Sequence, residues 1–138
     1  MTVIKANDVR TLDRGGGITS IPLITRQSDP AALITTGIST YPQGTGAPLH
    51  LHNCDEQVTV LLGEGEVEIE GIVTSLRPFD STYILAGQNH AFRNAAEQPL
   101  MILWIYPTQH VTRTLAATGR TVEHLSNEDM VMGADRPA

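Results

Sequence analysis

Two histidines and a carboxylate in the middle of the chain have the residue types and the spacing of a metal site. His50 and His52 occupy alternate positions, and Glu56 follows four residues later. Alternate side chains of an extended strand project to the same face, about 7 Å apart along the backbone, so the two imidazoles can share one ion. The turn formers Asn53-Cys54-Asp55 bend the chain, which allows Glu56 to return its carboxylate to that ion at the start of a new strand.

A third histidine, His90, follows the loop signal Ala86-Gly87-Gln88-Asn89 and opens another apolar run. Imidazole nitrogen together with carboxylate oxygen suits iron, manganese, nickel, cobalt or zinc better than calcium. We therefore predict a divalent transition metal held by His50, His52, Glu56 and His90. Iron(II) is preferred with the dioxygenase hypothesis given below, because the donor types alone do not rank these ions. The alternative is that these side chains only hydrogen-bond to one another.

Gln57 is a competing oxygen donor beside Glu56. Neighbouring residues of a strand point to opposite faces, so only one of the two can face the histidines. Glu56 lies seven positions before Gly63, with six residues between, and this register favours Glu56 as the ligand.

Short runs rich in Val, Ile, Thr and Leu, separated by Gly, Pro and Asp turns, dominate the rest of the chain. The predicted strands are Ile18 to Thr25, Ala32 to Tyr41, Gln57 to Leu62, Glu66 to Glu70, Ile72 to Arg77, Thr82 to Leu85, His90 to Asn94 and Leu100 to Tyr106. Many short strands at regular spacing indicate an all-β sandwich or barrel.

The fixed positions of this region resemble the two motifs of the cupin superfamily. The first motif is matched by Gly44, His50, His52, Glu56 and Gly63, and the second by Asp80, Gly87, His90 and Asn94. The resemblance implies a double-stranded β-helix, or jelly-roll, barrel with an N-terminal arm and a short C-terminal tail. Phe79 and Leu85 depart from the second motif, where the family usually has glycine and proline. We expect Pro78-Phe79 to form a turn with negative φ at both central residues.

The length of 138 residues fits one domain with a real core. Within it we expect an N-terminal arm and dimerising strand over 1–28, the cupin barrel over 29–108 and a tail over 109–138. The triplet Gly15-Gly16-Gly17 is interpreted as a flexible hinge. In the tail, Leu115-Ala116-Ala117 are helix formers, and the polar end is expected to be poorly ordered.

Composition limits the partners. A net charge of -6, a pI near 5.2 and a single lysine, Lys5, argue against binding to nucleic acid. No apolar run is long enough to span a membrane, and the first residues lack the pattern of a signal peptide. We expect a soluble cytoplasmic protein whose partner is a small molecule.

Several other side chains carry weaker signals. Cys54 is interpreted as a packing residue, the alternatives being a redox-sensitive thiol or an extra ligand. His110 and His124 are expected at the surface or in the tail, with His110 able to approach the barrel mouth. Arg93 should face away from the metal in an ion pair, and Asn94 should be a structural hydrogen bonder. The remaining candidates are possible cavity or rim residues: Tyr41, Gln43, Phe92, Trp104 and Tyr106.

A metal held by four protein ligands keeps one or two positions open for water, dioxygen or substrate. The leading hypothesis is a small metal-dependent enzyme acting on an oxygenated organic molecule, first a dioxygenase and second an isomerase, cyclase or lyase. The alternative is a binding module that captures a ligand without turnover. The strand Leu100 to Tyr106 is apolar on both faces, and similarity to small cupins implies a homodimer that covers one of them.

Overall fold

Two antiparallel β-sheets enclose the interior of the protein. The computed structural model describes residues 1–129, which contain thirteen strands and a 3-10 helix, Ala6–Asp8. The strands are β1 (Leu12–Asp13), β2 (Thr19–Pro22), β3 (Thr35–Tyr41), β4 (Thr45–Gly46), β5 (His50–His52), β6 (Glu56–Leu62), β7 (Gly65–Ile69), β8 (Ile72–Leu76), β9 (Ser81–Ile84), β10 (His90–Asn94), β11 (Leu100–Tyr106), β12 (Thr112–Leu115) and β13 (Thr121–Glu123). The predicted all-β jelly-roll barrel is confirmed.

Each sheet collects strands that are distant in sequence. The first has the order β1-β2-β3-β11-β6-β9, and the second β13-β12-β5-β10-β7-β8 with β4 paired to β10. Side chains alternate between the barrel interior and the outside. In β11 the inward Leu100, Ile102, Trp104 and Tyr106 are at most 4% exposed, and the outward residues between them are half-buried. These inward side chains of β11 form part of the apolar interior of the barrel.

The barrel continues beyond residue 108, where the sequence analysis began the tail. β12 pairs with β5, and β13 pairs with β12. Leu115 ends a strand instead of opening a helix, and Ala116 and Ala117 lie in the turn that follows it. Pairing with a neighbouring strand overrides local helix propensity here. The prediction for the end of the chain concerns residues 130–138, which lie outside the described residues.

The glycine triplet forms a hydrogen-bonded turn between β1 and β2, which differs from the predicted flexible hinge. Gly15, Gly16 and Gly17 have φ of 84°, 64° and 83°, a run of left-handed conformations that only glycine adopts readily. The N–H of Arg14 donates to Ile18 O over 2.8 Å, and the N–H of Ile18 donates to Gly15 O over 3.1 Å. The turn fixes Arg14 with its side chain buried.

The turn at Pro78-Phe79 also differs from the prediction. Phe79 has φ of 76°, and the N–H of Asp80 donates to Arg77 O over 3.0 Å. With proline at its second position and positive φ at its third, this is a type II turn. The expectation of negative φ was wrong: this turn joins β8 of the second sheet to β9 of the first, and its third residue takes the left-handed conformation even though it is not glycine.

Replacing Phe79 by glycine should therefore stabilise the protein. The side chain is 80% exposed, so little packing is lost. Relief of the left-handed conformation contributes about 1–2 kcal/mol, and the greater freedom of unfolded glycine removes about 0.5–1 kcal/mol of that gain. We expect urea unfolding to show Phe79→Gly to be more stable by roughly 0.5–1 kcal/mol. Glu97→Gly, at an exposed position without positive φ, is the control and should lose stability. A less stable Phe79→Gly would contradict this account.

Candidate metal centre

The three predicted histidines meet on the inner face of the second sheet. His50 and His52 alternate on β5, and both are buried while Leu51 between them is half-buried. His90 on β10 is directly opposite His50 in the antiparallel register, so both side chains project to the same face. One potential ligand atom from each ring lies within 4.8 Å of the others, which makes these three residues a candidate metal-binding group.

Backbone carbonyls orient all three rings. The Nδ1 atoms of His50, His52 and His90 lie 2.7, 2.9 and 2.9 Å from the carbonyl oxygens of Pro48, Thr112 and Gln88. A carbonyl oxygen can only accept, so Nδ1 carries the proton and donates in each case. This fixes the tautomer that presents Nε2 to the interior, and it is the pattern by which proteins hold metal-ligating imidazoles.

Glu56 reaches the same point from the opposite sheet. It is the first residue of β6 and is 5% exposed, and its Oε1 lies 3.0 Å from His90 Nε2 and 3.9 Å from His52 Nε2. The hydroxyl of Tyr106 donates to His52 Nε2 over 3.2 Å. Gln57 points outward and donates to Thr59 Oγ1 over 2.7 Å. The register thus places Glu56, and not Gln57, among the histidines.

The donor set fits a transition-metal ion. Two donors on one ion with bonds of about 2.1 Å can be at most ~4.2 Å apart, so imidazoles within 4.8 Å need shifts of only a fraction of an ångström. Three nitrogen donors and one carboxylate suit iron, manganese, cobalt, nickel or zinc. The metal-binding group found among residues 1–129 consists of the three histidines and includes neither Cys54 nor Glu56, whose Oε1 is hydrogen-bonded to His90 Nε2 instead. Burial, with the charges of Glu56 and Asp55, raises the pKa of the Cys54 thiol to about 11, which favours a packing role.

Burial and pairing set the protonation of the site. Burial holds the pKa of His50 well below its usual range and lowers the pKa of His52, so both rings are neutral near pH 7. Burial also lowers the pKa of His90, but the hydrogen bond to Glu56 and the charge of Glu56 outweigh burial and raise this pKa overall. Burial raises the pKa of Glu56, but the hydrogen bond from His90 and the electrostatic effect of the His52 and His90 imidazoles lower this pKa overall. In the metal-free protein His90 and Glu56 therefore form a buried ion pair.

These shifts predict that the metal-free protein loses stability on acidification from pH 8 to pH 5. The pKa values of His50, His52 and His124 are lower in the folded state than in the unfolded chain, where they are about 6.5. Below that value the unfolded chain takes up more protons, so the folded state loses stability. His90 acts in the opposite direction, because its raised pKa stabilises the fold below about 6.5 and that contribution is lost as the pH rises.

Thermal unfolding of chelator-treated protein across this pH range measures the balance. Because three histidines have a lowered pKa and one has a raised pKa, we predict that the melting temperature falls as the pH is lowered. His124→Gln should flatten the profile, because it removes one of the histidines whose pKa is lowered by folding. A melting temperature that rises on acidification would show that the assigned directions are wrong.

The structure also places near the site two residues from the predicted tail, His124 and Arg113. His124, expected at the surface or in the tail, packs its ring 5.1 Å from the rings of Trp104 and Tyr106 and 6.0 Å from that of His52. His110 is exposed and lies beside Arg26, so of the two it is His124 that approaches the site. Arg113 lies directly opposite His52 in the pairing of β12 with β5. The β-branched residues Thr112 and Thr114, which favour strands, were the local signal for this strand.

Most of the secondary candidates have the roles that were expected. Arg93 forms ion pairs of 3.1 Å with Glu66 and Glu68, away from the histidines. Asn94 donates from Nδ2 to the carbonyl oxygens of Tyr41 and Gln98. A cavity of about 50 Å³ adjoins the histidines, and Tyr41, Phe92, Trp104 and Tyr106 are among its lining residues. Gln43 is exposed.

An antiparallel jelly-roll barrel with three inward histidines from two neighbouring strands defines the class of this protein. The model of the cupin domain matches residues 37–106, which is half of the chain. The chain belongs to the cupin family. Among curated proteins, none matches this sequence.

Solved structures share the fold at low sequence identity. The polyketide cyclase RemF from Streptomyces resistomycificus is 18% identical with a TM-score of 0.70, over 94% of this chain and 89% of that one. KdgF from Halomonas sp. is 19% identical with a TM-score of 0.66, over 78% and 94%. Oxalate decarboxylase from Bacillus subtilis, described with Mn(II) centres, is 17% identical with a TM-score of 0.71, over 80% and 31%. This chain spans about a third of the length of the Lactobacillus farciminis and Bacillus subtilis oxalate decarboxylases that it matches.

Proposed function

We propose that this cupin binds a divalent transition metal through His50, His52, Glu56 and His90 and acts as a small metal-dependent enzyme. The observation that carries the proposal is the orientation of the three imidazoles. Each Nδ1 is committed to a backbone carbonyl, and each ring thereby presents Nε2 to the interior beside a buried carboxylate. Manganese in the Bacillus subtilis oxalate decarboxylase supports a metal in this fold and adds manganese to the leading candidates beside iron(II).

The lining of the cavity favours redox-neutral acid–base chemistry on a small oxygenated substrate. A metal ion in this position would polarise a carbonyl or carboxylate group of a chelated substrate. Around it the protein supplies the Tyr106 hydroxyl, which can donate a proton or a hydrogen bond. Decarboxylase and cyclase relatives support the same class of reaction, that of lyases, isomerases and cyclases.

Dioxygenase chemistry is the second candidate, since four protein ligands leave up to two positions of a six-coordinate ion free.

The experiment that separates these functions begins with elemental analysis of the purified protein. The metal found is then restored anaerobically, and small dicarboxylates, 2-oxo acids and 2-hydroxy acids are tested for conversion while oxygen uptake is recorded. Metal-dependent conversion without oxygen uptake supports the leading proposal, and substrate-dependent uptake supports a dioxygenase. Tight binding without any product would instead identify a binding module.

We also propose that the protein is a homodimer formed through the outer face of the first sheet. Ile21, Ile38 and Leu103 are cross-strand neighbours there and form an apolar row of half-buried side chains. A second copy would remove this row from water. Light scattering should give twice the mass of the 14.9 kDa chain, and Leu103→Arg should give the monomer mass. A monomeric wild-type protein would contradict the proposal.

A further inference from the structure

A buried charged cluster lies inside the barrel beside the three histidines. Arg113 on β12 and Arg14 in the loop after β1 are 5% and 8% exposed, and Asp129 is 0% exposed. Arg14 Nη2 donates to Asp129 Oδ2 over 2.8 Å, and Arg113 Nε lies 2.7 Å from Asp129 Oδ1. Arg113 Nη2 also donates to the backbone oxygen of Asp129 over 3.1 Å. Two guanidinium cations therefore share one carboxylate.

This cluster has more hydrogen-bond donors than acceptors. Each guanidinium carries five N–H groups. Arg14 Nη1 donates to Ser20 Oγ over 3.2 Å, but the Nε atoms of both arginines find no aligned acceptor within residues 1–129. Within the same residues Asp129 Oδ1 likewise has no hydrogen bond, so its 2.7 Å contact with Arg113 Nε is an ion contact without hydrogen-bond geometry, and Arg14 Nε is the donor that lacks any nearby acceptor. Buried cations with unmet donors are costly, so the cluster favours a further or stronger anionic partner.

The cluster and the histidines border the same space. Arg113 is the cross-strand neighbour of His52, so the two side chains leave the sheet on the same face. Arg14 and Arg113 line the cavity of about 50 Å³ together with His50, His52 and Glu56. A small molecule that reaches the histidines with one end therefore meets the arginines with the other.

We propose that Arg14 and Arg113 form a carboxylate subsite of the metal centre, which Asp129 fills in the ligand-free chain and a substrate carboxylate takes over. The inference rests on the proposed function, because it assumes that the same ligand also coordinates the metal. One carboxylate replaces another, so the charge of the cluster is conserved. The substrate class is a small organic acid that has a second oxygen group for the metal.

The segment that brings Asp129 to the arginines contains one residue in an unfavourable backbone conformation. Asp129 Oδ2 also accepts the N–H of Leu125 over 2.8 Å, and Leu125 has φ of 63°, a conformation that leucine adopts at a cost. Leu125 and His124 line an outer cavity of about 710 Å³, and His124 lines the inner one as well. Departure of Asp129 would relieve Leu125 and connect the two cavities.

Binding of malonate, a small dicarboxylate, to the full-length chain tests the subsite, with uncharged malonamide as the matched control ligand. Isothermal titration is done on both metal-free and manganese-loaded protein. Asp129→Asn removes the resident carboxylate at nearly constant volume, and we expect it to bind malonate at least tenfold more tightly than wild type. Adding Arg113→Gln to that variant should remove the gain. Arg93→Gln, at an arginine paired on the outside of the barrel, should change nothing.

The outcomes separate this inference from the proposed function. Equal malonate affinity in wild type and Asp129→Asn, or an unchanged affinity on adding Arg113→Gln, would overturn the subsite even if manganese is bound. Malonamide binding as tight as malonate would overturn it too. Arg113-dependent malonate binding in a protein that takes up no metal would retain the subsite and refute the metal centre. Should Asp129→Asn fold only in the presence of malonate, that rescue, lost with Arg113→Gln, supports the subsite.

Discussion

Replacement of His52 by alanine should abolish metal retention. His52 lies close to both other imidazoles, with its ring centroid 4.9 Å from that of His50 and 5.3 Å from that of His90. Its Nδ1 is fixed by Thr112, so removing the imidazole deletes a preoriented ligand. Changes in residues that only support a ligand already cost about 10–100-fold in metal affinity, so loss of a ligand should cost at least about 100-fold.

Metal content after dialysis, together with a titration of the metal-free protein, measures this effect. His124→Ala is the sharp control, because that ring also packs near His52 but does not belong to the group of three. It should retain the metal, as should His110→Ala at an exposed position. Circular dichroism must show that the His52 variant remains folded. Unaltered metal content in folded His52→Ala would remove the assignment of this residue.

Replacement of Gly63 by alanine should strongly destabilise the fold. Gly63 has φ of 79°, and a β-carbon there would lie 2.2 Å from the carbonyl oxygen of Pro99 and 3.2 Å from Leu100 Cα. Those atoms belong to backbone, so they cannot move aside as a flexible side chain could. We expect a loss of at least about 3 kcal/mol in the free energy of unfolding, because strain from overpacking adds to the cost of the left-handed conformation.

Gly71 offers a matched control for this substitution. Its φ of 82° is nearly the same, but nothing lies within 4 Å of a β-carbon built there. Gly71→Ala should therefore lose only about 1–2 kcal/mol, the cost of the left-handed conformation alone. Denaturant unfolding of both variants measures the difference. Equal losses would show that close approach to Pro99 does not explain the glycine at position 63.

The parts of this structure that follow from short-range periodicity could be predicted from the sequence. Alternation places His50 and His52 on one face, and the same rule points Glu56 inward and Gln57 outward. The strand Leu100 to Tyr106 was predicted with the bounds that it has, because it is a continuous apolar run that follows Pro99 and ends before Pro107. Spacing within a strand is a local property, so one sequence is enough to read it.

The rest of the site depends on pairing between distant segments. Arg14 becomes an interior residue only because the glycine turn folds β1 back on β2. Arg113 becomes one only because β12 pairs with β5, the strand that carries His50 and His52. Asp129 is buried because two arginines, 16 and 115 positions away, hold it. No local sequence pattern predicts these contacts. His124 was misplaced for the same reason.

Anomalous scattering from a crystal soaked in manganese tests the central claim most directly. The account predicts one strong peak inside the barrel, about 2.0–2.3 Å from Nε2 of His50, His52 and His90 and from a carboxylate oxygen of Glu56. The absence of a peak from the barrel interior after soaking, with His90 still hydrogen-bonded to Glu56, would contradict the proposed metal site.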